Sequence, residues 1–310
     1  TIDISIVRGS WLLFILASCI HLTFSFLSAT LHGIGKINQN NFCLIISKSA
    51  FLLVAIYGLY KGEGIVFLSF IFLLHVCLMR VLNFVFLIPN LSLSVKDFFR
   101  IKSFSWDIFK SLQKNSLKMG AVNIGSYLLS RGSIIVANGA IAVEAVTKYT
   151  FTITSFTVLA MIATEPLNLM YDRICHYQSR NDREQIKRMI KILYFAGLLI
   201  FLSGTLFIFI FEYYSKVFGL NFNFMTQSFL ILASLIYLFE YTSSFSAIYL
   251  TSKNYIPFMN AALISGVTVT LLNVIFVNQY QLLGLILIYF FVQSCYNFWK
   301  WPLELKKDLS

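Results

Sequence analysis

Three cationic side chains fall inside long apolar runs: Lys48, Arg80 and Arg131. A charge near the centre of a bilayer costs roughly 2.5–3.5 kcal/mol on insertion scales, so it is usually turned toward a partner or a watery cavity. Lys48 could also reach the interface along its own stem. Three such cations converging on one cavity would suit an anionic ligand, above all a phosphate or diphosphate. Two acids are embedded in the same way. Glu165 precedes Pro166, whose ring interrupts a helix ladder and frees carbonyls, and Glu240 lies among hydroxyls in YLFEYTSSFSAIY. Two roles are open to each acid: a structural ion pair with Arg131, or carriage of a coupling proton or cation. His21 and His75 read as hydrogen-bonded packing residues before they read as proton relays. The five cysteines are scattered, with neither disulfide nor zinc spacing. There is no Walker A, GxSxG, HExxH or strand-borne GxGxxG. No metal, cofactor or covalent chemistry is expected, and the chain does not read as an enzyme.

The elements that must hold these groups are membrane helices. Of 310 residues, 58% are hydrophobic and 12% charged, against about 25% charged in a soluble domain, and mean hydropathy is +0.78. Nine runs reach bilayer length at 1.5 Å per helical residue: 11–30, 42–60, 65–89, 119–141, 145–169, 189–211, 225–250, 257–277 and 282–301. The expected class is all-α, a polytopic membrane helical bundle.

The net charge of +11 sits between runs rather than in one soluble patch. It therefore reads as topology and attraction to anionic membrane lipids, with no nucleic-acid partner. One set of alternate links holds Lys96, Arg100, Lys102, Lys110, Lys114 and Lys118, then Arg173, Arg180, Arg183, Lys187, Arg188 and Lys191. The same set adds Lys36, Lys253, Lys300, Lys306 and Lys307, while the other set has only Arg8, Lys61, Lys148 and Lys216. Seventeen against four places the basic links and the C-terminus in the cytoplasm.

Both strongly basic links are amphipathic. Phe104, Trp106, Ile108, Phe109 and Leu112 fall at helical spacing opposite Lys110 and Lys114, and Ile186, Ile190 and Leu193 share a face. Both read as short helices lying at the cytoplasmic interface before the chain enters the membrane. Ala121/Gly125 and Ala262/Gly266 are small-xxx-small pairs that mark close helix approach.

From Lys118 to about Lys191 the sequence resembles polysaccharide flippases of the Wzx type, in the multidrug/oligosaccharidyl-lipid/polysaccharide exporter superfamily. The carrying features are KMGAVNIGSYLLSRGSIIVANGAIAVEAVTKYTFTITSF with its Val146-Thr147-Lys148-Tyr149 element, then ATEPLNLMYDR and the basic RNDREQIKRMIKI. LHGIGKINQNN is similar to that family's Gly-rich link. The resemblance implies a two-lobed exporter fold of twelve helices. On that pattern residues 1–95 are a partial N-terminal lobe lacking its first three helices. Residues 96–118 are a cytoplasmic amphipathic linker, and 119–310 form a six-helix C-terminal lobe.

It further implies translocation of polyprenyl-diphosphate-linked oligosaccharide, an O-antigen or capsule repeat unit, across the bacterial inner membrane by alternating access. A polysaccharide polymerase and a chain-length regulator are partners it leaves open. No position-specific motif transfers the family's substrate contacts, so Lys48, Arg80 and Arg131 stand on their burial in apolar sequence alone. The alternative is a polytopic polysaccharide polymerase or glycosyl- or acyltransferase of the same pathway. Such enzymes often carry a long outward loop, and every outward link here is short.

Overall fold

The computed structural model of the chain describes residues 4–91, 105–219, 224–253 and 255–309, apart from the side chains of 108, 111, 112, 114, 115 and 216. Among these residues all regular structure is helical, and seven segments are long and apolar enough to cross a membrane. The chain divides into two compact units, Thr1–Phe104 and Ser105–Ser310.

The first unit contains α1 (Ile4–Thr23), α2 (Ser25–Gly33), α3 (Ile37–Tyr60) and α4 (Ile65–Leu91). Phe14 stacks on Phe72, and His21 and Ser28 meet Arg80. Residue numbers rise together across these contacts, so α1–α2 runs parallel to α4. Phe51 against His75 and Gln39 against Asn90 show α3 running the other way. The helices alternate in direction, as short links require.

The second unit opens with α5 (Trp106–Tyr127), a π-helical turn (Leu128–Gly132) and α6 (Ser133–Ala140). Then come α7 (Val143–Leu169), α8 (Tyr171–Ser179), α9 (Arg183–Val217), α10 (Gln227–Ser252), α11 (Met259–Cys295) and α12 (Asn297–Leu309). Within α11 the helix breaks at Gln281, at φ 46° and ψ −138°. Asn297 donates to the Ser265 hydroxyl at 2.9 Å, whereas an unbroken helix would hold them about 48 Å apart. The chain therefore folds back at Gln281 into two legs, 259–280 and 282–295, the reversal expected at NQYQ.

The seven candidate spans differ from the nine expected at two places. The run Met259–Leu309 is a single candidate of 51 residues although it contains that reversal. The helix over 119–140 is not among the seven; Asn123, Ser126, Ser130, Arg131 and Asn138 dilute its apolar character.

Close approach occurs where small residues were expected, and between the two pairs themselves. A Cβ on Gly125 would lie 2.5 Å from the Ala262 carbonyl, and one on Gly266 would lie 2.5 Å from the Gly125 carbonyl. Apolar side chains gain little by leaving lipid for protein, so such backbone proximity and interhelical hydrogen bonds carry the packing. The amphipathic segments depart from expectation. Trp106–Tyr127 and Arg183–Val217 are each one helix, so among the described residues neither basic stretch is broken from the apolar run that follows it. Ile186, Ile190 and Leu193 are buried in the protein core rather than turned to a lipid surface. Of the other segment, Trp106 and Phe109 are exposed, and Phe104, Ile108, Leu112 and Lys114 lie outside the described residues and side chains.

Tyr149 meets Phe229 and Thr157 meets Tyr237, so α7 and α10 run parallel. Tyr194 meets Phe245 and Phe201 meets Tyr241, so α9 is antiparallel to α10. This alternation gathers the links 170–182 and 253–258 and the C-terminal helix at one end of the unit. There Gln178 donates to Ser252, and Lys253 pairs with Asp308 at 2.6 Å. These segments and the first turns of α9 carry ten of the unit's sixteen basic residues, which therefore gather at one end.

Candidate functional site

In the second unit a cavity of about 220 Å³ opens between α5 with its π-turn, α7, α10 and the second leg of α11. Eight of its eleven lining residues carry a hydroxyl or a carboxyl: Ser126 and Ser130, Thr157 and Thr164, Tyr237, Glu240 and Ser244, and Tyr289. Water occupies about 30 Å³ per molecule in the liquid, so there is room for several waters or a hydrated ion.

Each wall has a local cause. Ser126 and Ser130 are one helical turn apart on α5 and the π-turn, and Ser130 returns its hydroxyl to the Ser126 carbonyl at 2.9 Å. The π-turn falls where the helix is pinned against the first leg of α11, since Gly132 faces Thr270 and Asn273 donates to Ser133 at 2.8 Å. A π-turn inserts one residue and rotates the rest of the helix about its axis, a device common at functional sites. On α10, Tyr237, Glu240 and Ser244 recur at three- and four-residue spacing, which stacks them on one face.

Glu240 is the focus of the cavity. Tyr289 donates to Oε2 at 2.7 Å, and Ser244 donates to Oε1 at 3.4 Å. The opposite wall is fixed by Thr157, which donates to the Tyr237 hydroxyl at 3.1 Å. A carboxylate held by neutral hydroxyls and facing open volume can exchange a proton or a cation. One closed in an ion pair cannot do so without breaking that pair.

Only Glu240, of the six residues singled out in the sequence, lines this cavity. Arg131 lies in the π-turn and is exposed, next to the wall residue Ser130. It makes no ion pair with either acid among the described residues: Glu165 is exposed and accepts from Asn168 at 3.2 Å. The ion pair open to Glu165 and Glu240 is therefore not formed, because each acid is satisfied by neutral donors on its own or a neighbouring helix. Pro166 sits inside α7, three residues before its end, and the helix continues through it.

Lys48 and Arg80 belong to the first unit. Lys48 is exposed on α3. Arg80 is 6% exposed and is spent on α1 and α2, donating to Ser28 Oγ at 2.9 Å and to the His21 carbonyl at 3.0 Å. The His21 ring stands 3.0 Å from the same guanidinium, and Asn83 also donates to Ser28. The helix break at Phe24 is what leaves the last turn of α1 with a carbonyl to offer. His75 packs against the rings of Phe51 and Phe72.

Of the hydroxyls around Glu240, Tyr237 and Ser244 belong to the hydroxyl-rich stretch seen in the sequence, but those on the other helices were not singled out. Tyr289 is 49 residues away, and only the fold-back at Gln281 brings it alongside. Comparison with family models, with curated proteins and with solved structures finds no match to this chain.

Proposed function

We propose that this chain is a membrane translocase that moves polyprenyl-diphosphate-linked oligosaccharide outward across the bacterial inner membrane by alternating access. The observation that carries the translocase class is the cavity around Glu240, where hydroxyls from four helical segments meet one carboxyl inside otherwise apolar helices. The choice of substrate rests on the resemblance over residues 118–191. In this reading the chain crosses nine times, three in the first unit and six in the second, with its C-terminus and basic links cytoplasmic.

Glu240 is the coupling group, and Arg131, next in sequence to the wall residue Ser130, meets the diphosphate. Arg80 acts instead as an internal clamp, since both terminal nitrogens of its guanidinium are engaged on α1 and α2. Glu165 takes no part in coupling here.

The test is made in cells that display the polysaccharide, with the full-length gene carrying Glu240→Gln. At normal protein level, lipid-linked repeat units should be trapped on the cytoplasmic leaflet. Units that reach the outer leaflet but stay unpolymerised would overturn the proposal in favour of a polymerase.

A further inference from the structure

A second concavity, of about 550 Å³, lies at the basic end of the second unit between α9, α10 and α12. Its walls are apolar, formed by residues such as Ile190, Leu305 and Leu309, and three lysines line it: Lys187, Lys191 and Lys306. Lys187 and Lys191 are one turn apart on α9, which puts both ammonium groups on the same face, and Lys306 comes from α12.

Among the described residues no carboxylate pairs with these lysines. The carboxylates of α12 are already committed, Asp308 to Lys253 at 2.6 Å and Glu304 to Lys300 at 2.8 Å. Three uncompensated cations would repel one another unless an anion joins them. The groove beneath the lysines is mainly apolar, and the hydroxyls of Thr242 and Ser246 in its wall return to backbone carbonyls of α10. The anion should therefore also have an apolar part. Beyond the lysines α9 presents an exposed apolar stripe, Phe195, Leu199, Leu202 and Leu206, the surface that acyl chains cover in a membrane.

We infer that this groove binds an anionic diacyl phospholipid of the surrounding bilayer, its phosphate between Lys187, Lys191 and Lys306 and an acyl chain along Ile190 and Leu305. This goes beyond the transport reading and does not depend on it. The three lysines were part of the charge count for topology, but that count assigns no site to a lipid.

The experiment uses the purified full chain in detergent, titrated with phosphatidylglycerol, phosphatidylcholine or inorganic phosphate. Lipid retention is read by native mass spectrometry and stabilisation by the melting temperature. Phosphatidylglycerol should be retained and should raise the melting temperature, whereas phosphatidylcholine and inorganic phosphate should not. A lysine near an anionic headgroup is worth about a fivefold preference. The triple variant K187Q/K191Q/K306Q should therefore lose most of the selectivity, while K36Q/K61Q/K110Q, of equal charge change elsewhere, should keep it. T242W, which fills the groove from α10 with every lysine in place, should also abolish it and serves as the deciding variant if the triple change does not fold. Selectivity that survives T242W, or that falls equally in both triple variants, would overturn the inference and leave only diffuse attraction to a charged surface. A response to inorganic phosphate alone would overturn it as well.

Discussion

Arg80 in the first unit and Glu240 in the second are both ionisable groups set inside apolar helices, yet they are held in opposite ways. Arg80 is packed closed: its guanidinium reaches a hydroxyl, a ring nitrogen and a carbonyl on α1 and α2, all at about 3 Å. Glu240 is also given hydrogen bonds, from Tyr289 and Ser244, but it faces a chamber of about 220 Å³. The difference teaches that burial of a charge in a membrane helix does not by itself mark a functional site. Free volume in front of the charge, lined by groups that can solvate it, separates a clamp from a chamber.

The largest expected effect comes from the wall of the chamber. Gly125→Leu would drive a side chain into the Ala262 carbonyl, where even a Cβ lies at 2.5 Å. Backbone cannot yield as a flexible side chain does, so the cost should reach about 3 kcal/mol, the upper part of the overpacking range. Folded yield and melting temperature in detergent should both collapse. A variant that stays stable would mean that α5 and α11 can separate without loss, and that the chamber has no fixed wall there.

Next comes the clamp. Arg80→Ala should destabilise the first unit by about 2 kcal/mol, within the range for hydrogen bonds to a charged group. The sign is a contest, because removing a buried charge also removes its desolvation cost. Its Nε is buried without a partner among the described residues, but the bonds of both terminal nitrogens to His21 and Ser28 argue that hydrogen bonding wins. Equal or higher stability would show that Arg80 is tolerated rather than useful, and would reopen a ligand-binding role for it.

Much of this architecture can be read from the chain. Long apolar runs fix the helices, because backbone groups in lipid must be satisfied within the segment. The pairs Ala121/Gly125 and Ala262/Gly266 signal close approach, since only small side chains allow it, although the sequence does not say that they meet each other. The NQYQ link marks the reversal at Gln281. What stays hidden depends on helix rotation and on neighbours. The run 119–141 does not reveal that its π-turn leaves Arg131 exposed while Ser130 lines the chamber. Nor does α9 reveal that Ile186, Ile190 and Leu193 face protein rather than lipid, as both surfaces are apolar. Tyr289 could be matched to Glu240 only once the fold-back had set the register of the second leg.

A smaller change probes the chamber from its far side. Tyr289→Phe removes the donor at 2.7 Å from Glu240 and keeps the ring. Interhelical hydrogen bonds in membranes average about 0.6 kcal/mol, with a maximum near 1.7, so a melting shift of a degree or a few is expected. A loss comparable to that of Arg80→Ala would mean that Tyr289 and Glu240 also form a clamp, and the contrast between the two units would fail.

The smallest stability change should come from Glu240→Gln, and for that reason it separates the two designs best. The amide has nearly the same volume and still offers Tyr289 an oxygen, so its unfolding transition should lie close to that of the wild type. It cannot exchange a proton or hold a cation by charge, so translocation per folded molecule should be lost. Arg80→Ala should show the reverse pattern, with reduced folded protein and unchanged activity in each molecule that folds. Measuring abundance and translocation together in the two variants distinguishes these outcomes. If both variants lose stability and neither loses specific activity, Glu240 is no more than a second buried structural group, and the chamber is a packing defect with hydroxyls around it.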